Sequence, residues 1–354
     1  MRILSAATAF PRHKYSQRVL LEALAFEWGS KLENRKMLER LWANVGVEQR
    51  YLSLPLTSYY GLDTFGKNNN AWMEAAEDLG SQAICGALTR AHKEIRDIRA
   101  LFFVSITGIS SPSIDARLVN RMGLPLNIRR TPIFGLGCVG GAAGISRAAD
   151  YVRAYPDQIA VLLSVELCSF TLQRDDISIA NQISAGLFGD GAAAVVIAGS
   201  EVSWPGPEFP GPEIMATQSS FYPETEEVMG WAISEKGFRI VLSPEVPEVI
   251  LKYLGRDVDA FLATHNLARA DIGSWVVHTG GPKILQATQT ALGIDPSAIS
   301  MSWEALRTMG NLSSASVLAV LEMTMTRARP EPGTWSILAA MGPGFCSELV
   351  LLHW

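Results

Sequence analysis

The segment Ala100–Thr107, with the sequence ALFFVSIT, has the continuous apolar character and the β-branched residues of a buried β-strand. A helical pattern follows from Ser113 and stops at Gly123, after which the chain reaches Cys138 at the start of another helical segment. Alternating apolar strands and helices indicate an α/β sheet that is mostly buried beneath helices.

The second half of the chain repeats this order. Residues Trp275–His278 have a strand pattern, Pro282–Leu292 have a helical pattern that stops at a glycine, and Asn311 begins a further helix. Each half then closes with a strand, a glycine turn and a strand, in residues 187–198 and 341–352. The repetition predicts a duplicated αβαβα unit.

A proline-rich segment divides the two halves. Residues 200–212, SEVSWPGPEFPGP, hold four prolines, which disfavour regular secondary structure. We therefore predict a first half at 1–199 that contains Cys138, a linker at 200–212, and a second half at 213–354 that contains the candidate histidine and asparagine described below.

The composition is typical of a globular protein. The chain has 354 residues, of which 48% are hydrophobic and 18% charged, and its net charge is −5. This acidic balance argues against nucleic acid or an anionic membrane as the main partner, because both select basic surfaces. The first apolar stretch, broken by Ser5 and Thr8, is too short for a signal peptide, and no run reaches the roughly 18 apolar residues of a membrane span. Four cysteines without CxxC spacing favour a reduced, cytoplasmic protein.

Cys138 is the candidate nucleophile. It lies in the segment Phe134–Gly144, FGLGCVGGAAG, whose glycines remove side chains on both sides of the sulfur and allow a bulky substrate to approach. The helical pattern that follows places the sulfur near a helix N-terminus, where the macrodipole favours thiolate and lowers the thiol pKa. The alternative is a small buried hydrophobic residue, an interpretation that we favour for Cys85 and Cys346.

His278 and Asn311 are candidate partners of this sulfur. His278 emerges from an apolar strand into the glycine loop Thr279–Pro282, although a lone histidine is more often structural. Asn311 is a good helix N-cap in isolation, and its amide is also a suitable donor to an oxyanion. A cysteine, a histidine and an asparagine, each at a glycine-flanked strand end or helix start, favour a reactive site. The five histidines form no metal-binding pattern, so no metal site is predicted.

Four motifs resemble those of type III polyketide synthases, the homodimeric thiolase-fold family that includes chalcone synthase. They are GLGCVGGAAG around Cys138, LFGDGAAAVV from Leu187, VVHTGGPKIL around His278 and GNLSSASVL around Asn311, in the family's order over nearly the whole chain. The closing segment Met341–Phe345, MGPGF, is similar to the bacterial branch. The resemblance implies a thiolase-like duplicated αβαβα fold, a homodimer, acyl-CoA and malonyl-CoA as substrates, and neither a metal nor a redox cofactor.

The resemblance also implies a role for each member of the site. Cys138 attacks an acyl-CoA thioester and holds the starter acyl group. Decarboxylation of malonyl-CoA produces an enolate, whose charge the His278 N–H and the Asn311 amide stabilise. The resulting carbanion attacks the acyl group on Cys138 and extends it by two carbons.

Family positions imply further residues along the substrate passage. Phe188 corresponds to the first gatekeeper between the CoA tunnel and the cavity, and an ordinary core phenylalanine is the alternative. The second gatekeeper corresponds to Ile240 by alignment from Pro247 and to Phe238 by local similarity. Arg50 is the candidate contact for a CoA phosphate, with a solvated surface arginine as the alternative.

Several small side chains match positions that line the cavity in family members. Thr107, Ser111 and Cys168 match a tunnel for a long acyl chain in bacterial alkylpyrone-forming members, where each buried methylene contributes ~0.8 kcal/mol. Close helix packing is the alternative reason for their small size. Further positions that the resemblance places against the substrate are Thr171, Ser184, Gly342, Pro343 and Gly344.

These matches predict a synthase that primes with a medium- or long-chain fatty acyl-CoA, extends with malonyl-CoA, and forms alkyl α-pyrones or alkylresorcinols. The nearest alternative is a ketoacyl-acyl carrier protein synthase III-like condensing enzyme, whose typical His-Gln-Ala-Asn differs from the His-Thr-Gly-Gly that begins at His278. A papain-like protease is disfavoured because its Cys-Gly-Ser-Cys-Trp signature is absent. A non-catalytic lipid-binding dimer is the remaining alternative.

Overall fold

The computed structural model describes residues 1–32, 34–204 and 211–354, so residues 205–210 of the predicted linker lie outside the described residues. The strands are β1 (Arg2–Ala9), β2 (His13–Ser16), β3 (Gln49–Leu52), β4 (Ile98–Val104), β5 (Arg129–Ile133), β6 (Ile159–Leu167), β7 (Asp190–Ala198), β8 (Glu213–Phe221), β9 (Met229–Ser234), β10 (Gly237–Leu242), β11 (Ile272–Val277), β12 (Trp335–Gly342) and β13 (Cys346–His353). The α-helices are α1 (Gln17–Trp28), α2 (Arg35–Ala43), α3 (Phe65–Arg90), α4 (Ile114–Met122), α5 (Gly140–Ala154), α6 (Ile179–Leu187), α7 (Val246–Ala263), α8 (Pro282–Leu292), α9 (Ser300–Met309) and α10 (Ser314–Arg327).

The main sheet shows the duplication directly. Within the described residues its strand order is β11-β12-β13-β8-β1-β7-β6-β4-β5. In the first half β1 pairs antiparallel with β7, β7 antiparallel with β6, and β6 parallel with β4. In the second half β8, β13, β12 and β11 pair with the same succession of directions. The predicted duplicated αβαβα fold is confirmed.

Two central helices, α5 and α10, lie between the two halves of the sheet. One core cluster joins Ala142 of α5 and Leu318 of α10 to Phe102 of β4 and Val276 of β11. Side chains alternate along a strand, so the neighbouring residues face outward, toward α3 and α4 in the first half and toward α7 and α8 in the second. The two helices that carry the candidate site therefore occupy the middle of five layers.

Two of the predicted helix ends occur at equivalent glycines. Helix α4 ends at Gly123 with φ 67° and ψ 40°, and α8 ends at Gly293 with φ 67° and ψ 35°. Glycine adopts this left-handed conformation without the steric clash that a Cβ causes. The matching ends are a further sign of the internal repeat.

Neither a membrane-spanning helix nor a metal-ligand cluster occurs in the part of the chain that the structure describes. No helix there is long and apolar enough to cross a bilayer. No group of three or more His, Cys, Asp or Glu side chains there is placed to hold a metal ion.

Candidate active site

Cys138, His278 and Asn311 lie on the wall of one cavity of about 590 Å³. All three are buried, with exposed fractions of 6%, 5% and 2%. Much of the remaining wall is apolar and includes Ile183 and Ile250. The structure therefore brings the three predicted side chains to one space in which they can act on a common substrate.

Two glycines and Pro343 position the Cys138 sulfur. Cys138 lies in a short 3₁₀ turn that leads into α5. Gly137 has φ 54°, and an added Cβ there would lie 2.7 Å from Pro343 Cδ. At Gly140 an added Cβ would lie 2.7 Å from Val104 Cγ1. The helix start is thus held tightly between β4 and the closing loop, which only glycine at these positions allows.

Hydrogen bonds fix the orientation of the Asn311 amide. The main-chain N–H of Asn311 donates to the Leu187 carbonyl at 2.9 Å, and the Gly189 N–H donates to the main-chain carbonyl of Asn311 at 2.9 Å. The side-chain Oδ1 accepts from the Ser313 N–H at 2.7 Å and from Ser316 Oγ at 3.2 Å. Because the oxygen end is occupied, the NH₂ end of the amide is the one available as a donor.

Ser313 is a polar neighbour of the sulfur that the sequence does not single out. Its Oγ lies 3.7 Å from Cys138 Sγ. Its φ is 49°, a left-handed conformation that is strained for a residue with a Cβ and is concentrated at functional sites. Ser313 is one of several serines that follow Asn311, and nothing in the sequence distinguishes it from the others.

His278 directly follows β11 and is buried. The main-chain N–H of His278 donates to the Ala339 carbonyl at 3.0 Å. The imidazole Nδ1 is buried without a hydrogen-bond partner among the described residues. Burial lowers the pKa of His278 to about 4. The imidazole is therefore neutral near neutral pH, with one ring nitrogen unprotonated.

The Cys138 thiol is also held in its neutral form. Burial raises its pKa to about 12; hydrogen bonds from Ser313 and Asn311 act in the opposite direction, and the Glu166 charge adds to the rise. This direction is opposite to the lowered thiol pKa that the sequence predicts, because the loss of solvent outweighs the hydrogen bonds that favour the thiolate. The resting site holds a neutral thiol and a neutral imidazole on the wall of one cavity.

Glu166 is a second residue that the sequence does not reveal as part of the site. Its carboxylate is fully buried and accepts hydrogen bonds from Ser314 Oγ, from Thr107 Oγ1 at 3.0 Å and from the Ile106 N–H at 3.1 Å. Burial raises the pKa of Glu166 to about 7. The predicted substrate residue Thr107 therefore has its hydroxyl engaged with this carboxylate.

A second cavity, of about 230 Å³, shares Cys138 with the first. It is lined by five of the residues predicted to contact substrate or control its passage, which are Thr107, Cys168, Phe188, Ile240 and Pro343. Phe188 lines both cavities, as expected of a residue between a tunnel and a chamber. Phe238 instead is buried against the rings of Phe65, Phe134 and Trp231, so Ile240 is the candidate that faces the cavity.

Comparison with known families decides the relationship that the motifs suggest. Residues 2–201 match the family described as chalcone and stilbene synthases, N-terminal domain, and residues 213–354 match the corresponding C-terminal domain. The chain belongs to the type III polyketide synthases. It is a decarboxylating condensing enzyme that uses acyl-CoA and malonyl-CoA, and the alternative of a synthase III of fatty-acid synthesis is not favoured.

Named relatives cover nearly the whole enzyme. It is 49% identical to 1,3,6,8-tetrahydroxynaphthalene synthase of Streptomyces peucetius subsp. caesius over 99% of this chain and 93% of that protein. It is 31% identical to 3,5-dihydroxyphenylacetyl-CoA synthase of Streptomyces toyocaensis over 100% of this chain and 90% of that one. The crystal structure of 1,3,6,8-tetrahydroxynaphthalene synthase from Streptomyces coelicolor A3(2) superposes with a TM-score of 0.93 at 30% identity, covering 100% of this chain and 99% of that one.

Arg50 of the polyketide synthase does not lie where the sequence predicts. Its side chain is buried, and Nη1 donates to the Ala185 carbonyl at 2.7 Å and the Phe188 carbonyl at 2.6 Å. A guanidinium held by main-chain carbonyls in the interior is placed neither for a CoA phosphate nor for bulk solvent, so both sequence-based interpretations are wrong. The basic side chain on the wall of the Cys138 cavity is Lys283, which is exposed.

The other predicted pocket residues divide between the walls and the surroundings. Thr171 and Ser184 line a third cavity of about 120 Å³ that also contacts Cys168 and Phe188. Ser111 is exposed, in contrast to the prediction that it lines the acyl tunnel, because the loop after Thr107 turns outward. In the closing loop Gly342 packs against the Val139 N–H and Gly344 has φ 146°; these two glycines shape the turn that carries Pro343 into the second cavity.

The pKa of Cys138 leads to a testable pH dependence. Because burial raises this pKa to about 12, thiolate is a small minority from pH 6 to 9. The alkylation rate of Cys138 by iodoacetamide, followed by peptide mass spectrometry, is expected to rise about tenfold per pH unit across that interval, since the thiolate is the reactive form. The Cys138→Ser protein identifies the modified peptide. A rate that reaches a plateau below pH 8 would contradict a raised thiol pKa.

Proposed function

We propose that this enzyme uses malonyl-CoA both as starter and as extender and forms 1,3,6,8-tetrahydroxynaphthalene. The observation that carries the proposal is the 49% identity, over 99% of the chain, with a 1,3,6,8-tetrahydroxynaphthalene synthase. The naphthalene skeleton has ten carbons. Five malonyl groups that each lose CO₂ supply all ten, so no other starter is required.

The geometry of the first cavity supports distinct roles for Cys138, His278 and Asn311. The neutral His278 imidazole accepts the Cys138 proton as the sulfur attacks the incoming thioester. The bond from the acyl carbon to the CoA sulfur then breaks, and CoA leaves as the thiol with the proton from His278. Loss of CO₂ from the next malonyl-CoA leaves an electron pair delocalised onto the thioester oxygen. The Asn311 NH₂ and a His278 N–H stabilise that enolate oxygen in a site without bulk water. The enolate carbon then attacks the acyl group, and the Cys138 sulfur leaves.

Two polar side chains on the largely apolar wall of the second cavity support a ring-forming polyketide product. They are Ser313 and Cys168, which line the cavity together with Trp231. A poly-β-keto chain has a carbonyl at every second carbon, so polar groups along the wall are able to contact it. A fatty acyl chain offers no acceptor to those groups, and burying them beside it costs free energy.

A specific observation favours a second candidate, the fatty acyl-CoA-primed synthase of alkyl α-pyrones or alkylresorcinols. The third cavity extends beyond Cys168 and Ile240 and is lined in part by Leu20, Leu24 and Leu56. An apolar extension of this kind is able to hold an alkyl tail, with ~0.8 kcal/mol for each buried methylene.

We also propose a homodimer that acts in the cytoplasm. Strand β5 is at one edge of the sheet, most of its residues are exposed, and Leu126 and Phe134 beside it are exposed apolar side chains. An uncovered edge with apolar neighbours is able to pair with a second copy. The four cysteines are free, which fits a reducing compartment.

Light scattering tests the assembly: twice the chain mass of 38.4 kDa is expected, and a monomer mass would contradict it.

Product analysis by mass spectrometry tests the choice of starter. Malonyl-CoA alone is expected to give a product with the mass of tetrahydroxynaphthalene, and octanoyl-, lauroyl- or palmitoyl-CoA is expected neither to be incorporated nor to compete. Products that contain an alkyl chain, with none from malonyl-CoA alone, would establish the second candidate instead. In that case Cys168→Phe, which fills the passage between the second and third cavities, is expected to abolish use of the longest starter.

The same assay tests the catalytic residues through the amount of product formed. Cys138→Ala, His278→Ala and Asn311→Ala are each expected to lower product formation by about 10²-fold or more, since each removes a group that acts in the transition state. Cys85→Ala, which removes an exposed thiol, is the matched control and is expected to retain full activity. Wild-type product formation in the three variants would exclude the assigned roles.

A further inference from the structure

Arg50 is a buried cation at the end of a helix that separates two cavities. It is 4% exposed, and its Nη1 donates to the carbonyls of Ala185 and Phe188, which belong to the last turn of α6. These carbonyls have no partner within the helix, and the negative end of the macrodipole lies there. Burial lowers the pKa of Arg50 to about 10, while Asp190 acts to raise it, so the guanidinium stays charged near neutral pH.

Trp42 and Gly310 pack against the guanidinium and the aliphatic part of the Arg50 side chain. The guanidinium stacks over the Trp42 ring at 5.3 Å from its centroid. At Gly310, the residue before Asn311, an added Cβ would lie 3.0 Å from Arg50 Cδ. The side chain is therefore confined between α2, the end of α6 and the turn that precedes the catalytic amide.

The peptide groups that Arg50 holds continue directly into the active site. Phe188 pairs with Asn311 in an isolated parallel bridge. The Leu187 carbonyl accepts from the Asn311 N–H, and the Gly189 N–H donates to the Asn311 carbonyl, both at 2.9 Å. A displacement of the Phe188 peptide would therefore move the Asn311 main chain with it.

Helix α6 also forms walls of separate cavities. Ile183 and Leu187 line the cavity of Cys138, whereas Ser184 and Ala185 line the third cavity. Phe188, at the helix end, lines all three cavities. Its position decides how the space for CoA, for the growing chain and for the inner pocket is divided.

We propose that Arg50 is the positioning residue of the gatekeeper: its guanidinium holds the Phe188 peptide, and through it the ring of Phe188 and the main chain of Asn311, in register with Cys138. Loss of this anchor lets the gatekeeper shift, so intermediates leave before the chain reaches full length. Loading of Cys138, which requires only the first cavity, is much less affected. The inference depends on the condensing activity of the family and not on which starter is used.

The test compares product length with loading in Arg50→Met and Arg50→Lys. With malonyl-CoA, the ratio of full-length product to shorter products is expected to fall about tenfold or more in Arg50→Met, a size typical of a misplaced reacting group. Arg50→Lys keeps the charge but not the planar fork, so an intermediate ratio is expected. Labelling of Cys138 by malonyl-CoA in a single turnover is expected to stay within about twofold of wild type, because the hydrogen bonds of Arg50 hold the end of α6 and not the main chain of Cys138 or His278.

The product ratio separates positioning from a merely structural role, because partial unfolding removes active molecules without changing what the others make. A wild-type ratio in both variants overturns the proposal, and if Arg50→Met does not fold, a wild-type ratio in Arg50→Lys alone does so. Gln17→Ala is the matched control: Gln17 Nε2 donates to the Gly186 carbonyl at 2.7 Å in the same helix turn but not to Phe188. Its ratio is expected to stay unchanged, and an equal fall there also overturns the proposal. If wild type makes nothing from malonyl-CoA, the proposed starter fails, and the same ratio is measured with lauroyl-CoA.

Discussion

The close approach of α5 to α10 is the constraint on which the site depends. The two helices occupy equivalent places in the two halves of the fold and meet between the halves of the sheet. An added Cβ at Gly141 would collide with the Ser314 carbonyl oxygen, so the helices touch where a side chain would separate them. This contact brings Cys138, at the start of one helix, to 3.7 Å from Ser313, at the start of the other.

Burial sets the chemistry that follows from this contact. The same packing that excludes water raises the pKa of Cys138 to about 12 and lowers the pKa of His278 to about 4, so the resting site carries little charge. Charge develops only when a thioester enters and the sulfur attacks. In a dry cavity, donors that are already oriented stabilise that charge more strongly than they do in water. The fixed Asn311 amide is such a donor.

The sequence correctly predicted the features that depend on hydrophobic periodicity and on the conformational preferences of turn residues. The repeat of strand, helix and glycine predicted the duplicated fold, and the helix ends at Gly123 and Gly293 follow from conformations that favour glycine. It failed where tertiary burial decides. Whether Arg50 meets solvent depends on the end of α6, more than a hundred residues away along the chain. The thiol pKa of Cys138, the hydrogen bond between Glu166 and Ser314, and the outward turn at Ser111 also depend on tertiary structure that the local sequence does not reveal.

The most direct test of this account is the rate of product formation from malonyl-CoA by the Gly141→Ala enzyme, measured beside its circular dichroism. The added methyl group would lie 2.2 Å from the Ser314 carbonyl oxygen, so α5 and α10 must move apart to accept it, and no polar group of the site is removed. We predict a folded protein whose rate is lower by about tenfold or more, because the sulfur no longer meets the amide and the enolate in the required geometry. A folded Gly141→Ala enzyme with the wild-type rate would contradict the claim that this helix contact builds the active site.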